Sequence, residues 1–199
     1  MPPYRVIALG DSLTYGYPFG KNLSWVKLAE QELRIPFLNQ GVNGDTFREM
    51  LRRLTIDVLD LKPEFCIVLG GANDVYQGMA VALMQSNLSK IASLLKKNKI
   101  KPLLGLSPPL RDEVFEKELG KFRRWVKRFA KDHRFVAVDF YSPFLDSKKK
   151  RLLPSCLEDG VHPSLKGYQS MAKAAVEVLQ HQFTVSRKGK SPKIFQIVK

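Results

Sequence analysis

Ser12, Asp159 and His162 are the residues of this sequence best suited to covalent chemistry. Ser12 stands in Gly10-Asp11-Ser12-Leu13-Thr14, a turn-forming segment directly after an apolar run, and Asp159 and His162 share the segment Asp159-Gly160-Val161-His162-Pro163. A serine hydroxyl is a weak nucleophile at neutral pH. Acyl transfer through it needs a base within hydrogen-bond reach and a carboxylate that orients the base. The close spacing of Asp159 and His162 lets one loop present both: Asp159 accepts from one imidazole nitrogen while the other nitrogen faces Ser12. Pro163 stiffens that loop, and Ser164 is suited to cap a following helix.

The same chemistry needs donors for a developing oxyanion, and two further polar segments supply candidates. One is Asn39-Gln40-Gly41-Val42-Asn43-Gly44-Asp45-Thr46, the other Gly70-Gly71-Ala72-Asn73-Asp74. The backbone amides of Ser12 and Gly44 and the side-chain amide of Asn73 are the expected donors, with glycine at position 44 permitting a conformation or an approach that a side chain would obstruct. Asp11 and Asp45 are expected to organise their turns by accepting from local backbone amides. Tyr15, Tyr17, Pro18 and Phe19 follow the serine at once and are candidate substrate-binding residues, with a loop packed over the first helix as the competing reading. Leu110, Val114, Leu145 and Leu153 are further candidates for the wall.

The elements that must position these groups follow from periodicity. Short apolar runs at 5–9, 36–39, 65–69, 102–106 and 135–139 alternate with segments of helical spacing at 24–33, 46–59, 81–97, 113–131 and 164–182. In 24–33, for example, Trp25, Leu28, Ala29 and Leu33 share one face. Alternation of this kind predicts an α/β fold, a three-layer αβα sandwich on a mostly parallel five-stranded sheet. All four polar segments then fall at the carboxyl ends of strands or before the last helix, where open α/β sheets bind ligands. The connections 107–112 and 141–162 are long enough to serve as substrate-binding loops.

At 199 residues the chain fits one core, read as a domain over 1–183 followed by a basic extension over 184–199 in which 193–198 pack on the body or pair with an edge strand. Apolar stretches fall far short of the ~20 residues that cross a bilayer. The N-terminus reads into a strand with no signal-peptide pattern, so a cytoplasmic location is expected. Cys66 and Cys156 have no metal-ligand or disulfide spacing and are read as reduced and non-functional. His133 and His181, near helix ends, and Trp25 and Trp125, at helical spacing, are read as structural. The net charge of +14 gathers in 96–101, 121–134, 148–151 and 187–199. It is read as a solvated basic surface, with no specific nucleic-acid partner and peripheral contact with anionic lipid left open.

With Gly-Asp-Ser-Leu around Ser12, the glycine at Gly44, Gly-x-Asn-Asp at Gly71 to Asp74, and Asp-x-x-His at Asp159 to His162, the sequence resembles the GDSL/SGNH hydrolase superfamily. Within it the sequence is similar to the small single-domain bacterial esterases of the thioesterase and lysophospholipase type. The resemblance covers positions 10 to 162. It implies a flavodoxin-like sandwich, a nucleophile at Ser12, a triad completed by Asp159 and His162, oxyanion donors at Ser12, Gly44 and Asn73, and an ester or thioester substrate without cofactor or metal. A carbohydrate O-deacetylase with the same triad is the alternative within enzymes, and a shallow polar site would distinguish it. Outside enzymes, the fold would also suit a flavodoxin-like cofactor-binding module, and the charge a nucleic-acid-binding one. Asp11 argues against the first, since a carboxylate in that loop would oppose a bound phosphate.

Overall fold

Five runs rich in branched and aromatic residues form one parallel sheet: β1 (Val6–Gly10), β2 (Phe37–Gly41), β3 (Phe65–Leu69), β4 (Lys101–Leu106) and β5 (Val136–Asp139). They lie in the order β2-β1-β3-β4-β5. The computed structural model describes residues 4–148 and 151–188. β1 and β3 are buried along their whole length, and strands covered on both faces are unbroken apolar runs rather than alternating ones. The edge strands β2 and β5 are partly exposed and admit Asn39, Gln40 and Asp139.

Helices cover both faces: α1 (Ser12–Tyr15), α2 (Trp25–Leu33), α3 (Phe47–Leu54), α4 (Ala72–Tyr76), α5 (Val81–Lys97), α6 (Glu113–His133) and α7 (Leu165–Lys188). The two-residue period of a strand sorts its side chains between two cores. Ile7 and Leu9 of β1 join Met50, Leu88, Ile91, Phe122 and Val126 from α3, α5 and α6. Val6 and Ala8 join Trp25, Ala29, Tyr168, Met171 and Ala175 from α2 and α7. The result is the three-layer αβα sandwich that the alternating pattern predicts.

Helix ends follow capping chemistry. Asp112 accepts from the amides of Val114 and Phe115 at 2.9 and 3.2 Å, and α6 carries Glu113 and Glu116 in its first turn and Lys131 and His133 in its last, complementing the helix dipole at each end. Ser164 caps α7, its Oγ accepting from Gly167 N at 3.2 Å. Two boundaries differ from the periodic reading. The single helix expected over 46–59 is α-helical only to Leu54 and continues as a π-helical turn, Thr55–Leu59, in which Asp60 N bonds Thr55 O at 3.0 Å. α7 runs on to Lys188, through the boundary placed at 183/184, and the segment 193–198 lies outside the described residues. Helices α1 and α4 have no counterpart in the periodic reading because a helix of one turn has no period to show.

Strand order reverses around β1: the chain passes from β1 to β2 on one side and returns to β3 on the other. The crevice at the carboxyl ends of β1 and β3 is therefore the place where loops diverge and a ligand can enter. Trp25 anchors the layer beneath it, fully buried with its ring 4.9 Å from that of Phe140. Trp25→Ala is expected to lower the free energy of urea unfolding by about 3–5 kcal/mol, since the cavity left cannot fully collapse.

Candidate active site

Helix α1 leaves β1 with no intervening loop, so the end of the strand aims Ser12 directly. Asp11 caps this single turn, its Oδ1 accepting from Leu13 N at 2.9 Å. The packing around it is close. A side chain at Gly10 would lie 2.1 Å from Thr14 Oγ1 and 2.6 Å from Leu69 O, and one at Gly41 would lie 2.1 Å from Tyr15 N. Asn39 closes the other end of the turn, its Nδ2 donating to Thr14 O at 2.7 Å and to Ser24 Oγ at 3.1 Å while its Oδ1 accepts from Gly41 N at 2.9 Å.

Ser12 Oγ, on a residue only 8 % exposed, lies 3.0 Å from His162 Nε2. His162 Nδ1 lies 2.7 Å from Asp159 Oδ2, and the other carboxylate oxygen accepts from the amides of Val161 and His162 at 2.9 and 2.8 Å. Burial opposes the charge on Asp159, but those amide bonds and the imidazole outweigh it and hold the carboxyl down to about 2. The loop is fastened from outside by Arg111 N, which donates to Gly160 O at 2.8 Å, and from within by Glu158 N, which donates to His162 O at 2.8 Å. The ring of Tyr17 packs on His162 with centroids 4.5 Å apart, and the Tyr17 carbonyl accepts from Tyr168 Oη at 2.8 Å. One tyrosine of α7 thus holds the segment that covers the histidine.

The second and third loops are tied to each other. Asn73 Nδ2 donates to Asp45 O at 2.9 Å, which uses one of its two hydrogens. Asp74, fully buried, accepts from Phe47 N at 3.3 Å and so holds the start of α3 against α4; burial pushes its carboxyl up to about 6, against the pull of that amide. Ser12 N opens a helix and has no intrahelical acceptor, and among the described residues neither it nor Gly44 N meets another. Gly44 sits at φ +85 with open space where a side chain would point, so backbone conformation rather than crowding calls for glycine there.

Other expectations are changed by the fold. Asp45 does not cap its own turn: its carboxylate pairs with Arg53 Nε at 2.6 Å. Leu110, expected at the substrate wall, is instead 4 % exposed in the core, because Leu110 N is held by Glu116 at 2.9 Å and Arg123 donates to the carbonyls of Ser107 and Pro108 at 3.3 and 3.2 Å. The residues that follow, Arg111 and Asp112, line a cavity of about 300 Å³ with Tyr76, Asp159, Gly160 and Val161. Tyr17 is 42 % exposed beside His162, Tyr15 is partly exposed under the Lys21 ammonium, and Phe19 turns inward against Tyr168. His133 bonds Phe129 O at 3.0 Å within α6, Trp125 stacks on Phe129, and both cysteines are buried and unpaired. Among the described residues no group of three histidine, cysteine or acidic side chains is arranged to hold a metal ion, and no helix is long and apolar enough to cross a membrane.

Four residues that shape the site went unassigned in the sequence reading: Asn39, Arg53, Asp74 and Tyr168. Asn39 and Asp74 lie inside the polar segments that flag the site. Arg53 and Tyr168 lie on amphipathic helices, and nothing in their spacing separates them from neighbours on the same face.

A serine, histidine and aspartate in relay, beside amides without acceptors at the ends of a parallel sheet, is an arrangement suited to acyl transfer. The family model describing GDSL-like lipases and acylhydrolases matches residues 8–170. The chain belongs to this family. It is a GDSL esterase, a hydrolase of carboxylic esters. Its relatives include an acetylxylan esterase from Geobacillus stearothermophilus, 26% identical over 170 residues, 78% of this chain and 77% of that protein. An arylesterase from Vibrio mimicus is 26% identical over 194 residues, 89% of each. Among solved structures, a G-D-S-L family protein from Desulfitobacterium hafniense DCB-2 superposes with a TM-score of 0.79 at 29% identity, covering 87% of this chain and 98% of that one.

In this GDSL hydrolase Asp11 is fully buried, and one of its oxygens has no partner among the described residues. Burial, opposed by the Leu13 amide and reinforced by the charge of Asp74, raises its carboxyl to about 7. An acid whose pKa is higher folded than unfolded costs nothing below about pH 4, where both states are protonated, and destabilises the fold increasingly as pH rises toward 7. Asp11→Asn keeps an acceptor for Leu13 N and never ionises. Its melting temperature is expected to exceed that of the wild type at pH 8 by several degrees and to converge on it as pH falls to about 4 and below, as read by thermal denaturation.

Proposed function

We propose that this esterase works through an acyl-enzyme on Ser12, with His162 as base and acid and Asp159 as the carboxylate that orients it. Ser12 Oγ attacks the ester carbonyl carbon while His162 Nε2 takes the hydroxyl proton. The oxyanion accepts from Ser12 N, Gly44 N and the second hydrogen of Asn73 Nδ2. The carbon–oxygen bond to the alcohol breaks as His162 returns the proton to the leaving oxygen. Water, deprotonated by His162, then attacks acyl-Ser12 and releases the acid. The continuous relay from Ser12 Oγ through His162 to Asp159, at 3.0 and 2.7 Å, is the observation that carries this reading.

Short acyl esters are the proposed substrates, bound beside Tyr17 and Tyr15. The Tyr17 ring lies against His162, and the cavity beside Asp159, about 300 Å³, is at the small end of ligand sites. Carbohydrate acetyl esters are the second reading, favoured by the polar lining that Arg111, Asp112 and Asp159 give that cavity.

Ser12→Ala is expected to lower kcat/KM on p-nitrophenyl acetate by at least about a thousandfold and to abolish the single adduct that an organophosphonate adds to the wild type by intact mass. Survival of either in the variant would refute Ser12 as nucleophile. Asp159→Asn should cost less, about 10- to 1,000-fold in kcat, because the Asp159 side chain is 49% exposed and water shares its work of stabilising the imidazolium. On a panel, p-nitrophenyl acetate and butyrate should be turned over faster than the dodecanoate. Acetylated xylo-oligosaccharides preferred over both would establish the second reading.

A further inference from the structure

Arg53 occupies a position that the reaction scheme leaves unused. It projects from the last turn of α3 and its side chain is only 18% exposed. Its guanidinium serves four acceptors: Nε donates to Asp45 Oδ2 at 2.6 Å, Nη2 to Gly10 O at 2.9 Å and to Gln40 O at 3.0 Å, and Nη1 pairs with Asp57. Gly10 O is the last carbonyl before the turn that carries Ser12. Gln40 O lies at the end of β2, just before the turn that carries Gly44. Asp45 is the residue whose own carbonyl receives Asn73 Nδ2 at 2.9 Å.

We propose that Arg53 is a positioning residue for the oxyanion pocket, holding in one register the three loops that supply its donors. The proposal rests on the assignment of Ser12 N, Gly44 N and Asn73 as those donors. A planar guanidinium carries five N–H groups in fixed directions, and this one connects the ends of β1 and β2 to the Gly44 turn. Asp57, four residues on in the π-helical turn that continues α3, orients it from behind. A lysine at the same place keeps the charge but offers a single ammonium on a flexible stem, which cannot span acceptors on both strands and Asp45 together. The loops would then keep their fold and lose their mutual register. A displacement of about 1 Å at such a site costs on the order of a hundredfold in rate.

The register acts on the transition state and not on substrate binding, so its loss separates kcat from KM. Arg53→Lys is expected to keep KM for p-nitrophenyl acetate within about twofold and to lower kcat about 10- to 100-fold. Combined with Asn73→Ala, which removes one donor outright, it should cost clearly less than the product of the two single losses, because both act on one pocket. Losses that multiply in the double variant would overturn the proposal and leave the Asn73 assignment standing. An Asn73→Ala enzyme with unchanged kcat would overturn the donor assignment and the proposal with it. Should Arg53→Lys not fold, Asp45→Asn tests the same link by weakening one arm of the clamp: a fall in kcat at constant KM is expected, and a lowered melting temperature with wild-type kcat would reduce Arg53 to a structural role and sink the proposal.

Discussion

The geometry at this site depends on how closely one helical turn can approach the ends of two strands. α1 sits on β1 and β2 at distances that leave no room for a side chain at Gly10 or Gly41, and the approach puts the serine at the mouth of the sheet without a connecting loop. Polar groups forced together in this way must find partners within the turn or at the strand ends. Asp11 and Asn39 provide them on either side of Ser12. Only a parallel sheet with a reversal of strand order at β1 brings the Gly44 and Asn73 loops to the same mouth. The rest of the architecture is the scaffold that makes this approach rigid.

The sheet and the relay were legible in the sequence for different reasons. Buried parallel strands are dense apolar runs, so the five strands appear close to their true limits. Ser12, Asp159 and His162 stand out because turn residues rarely combine a serine after a strand with an aspartate and histidine on one short loop. The supporting polar bonds were not legible, since each joins residues distant in the chain: Arg53 to Gly10, Asp74 to Phe47, Tyr168 to Tyr17. Asp45 illustrates the point. Local turn chemistry assigns it a backbone amide, whereas an arginine on the next helix claims its carboxylate. Leu110 moved inward for a similar reason, because the proline-rich loop around it is held by a buried arginine rather than left free to line the site.

Charge is distributed with the same economy. Two carboxyls near Ser12 are buried and pushed up by that burial, Asp11 to about 7 and Asp74 to about 6, while Asp159, half in water and fully bonded, is held down to about 2. Part of the chain's basic excess lies in the last turn of α6, where Lys131 complements the helix dipole.

Ser12 and His162 are separated by most of the chain, and the tyrosine that steadies the segment over the histidine lies further on, in α7. During synthesis the serine emerges early, with no base opposite it. The contact between Ser12 and His162 forms only once the loop that precedes the last helix lies over the sheet. On the proposed assignment the nascent chain lacks its base until His162 has left the ribosome, and a local opening that lifts α7 removes the hold of Tyr168 on the segment beside the histidine.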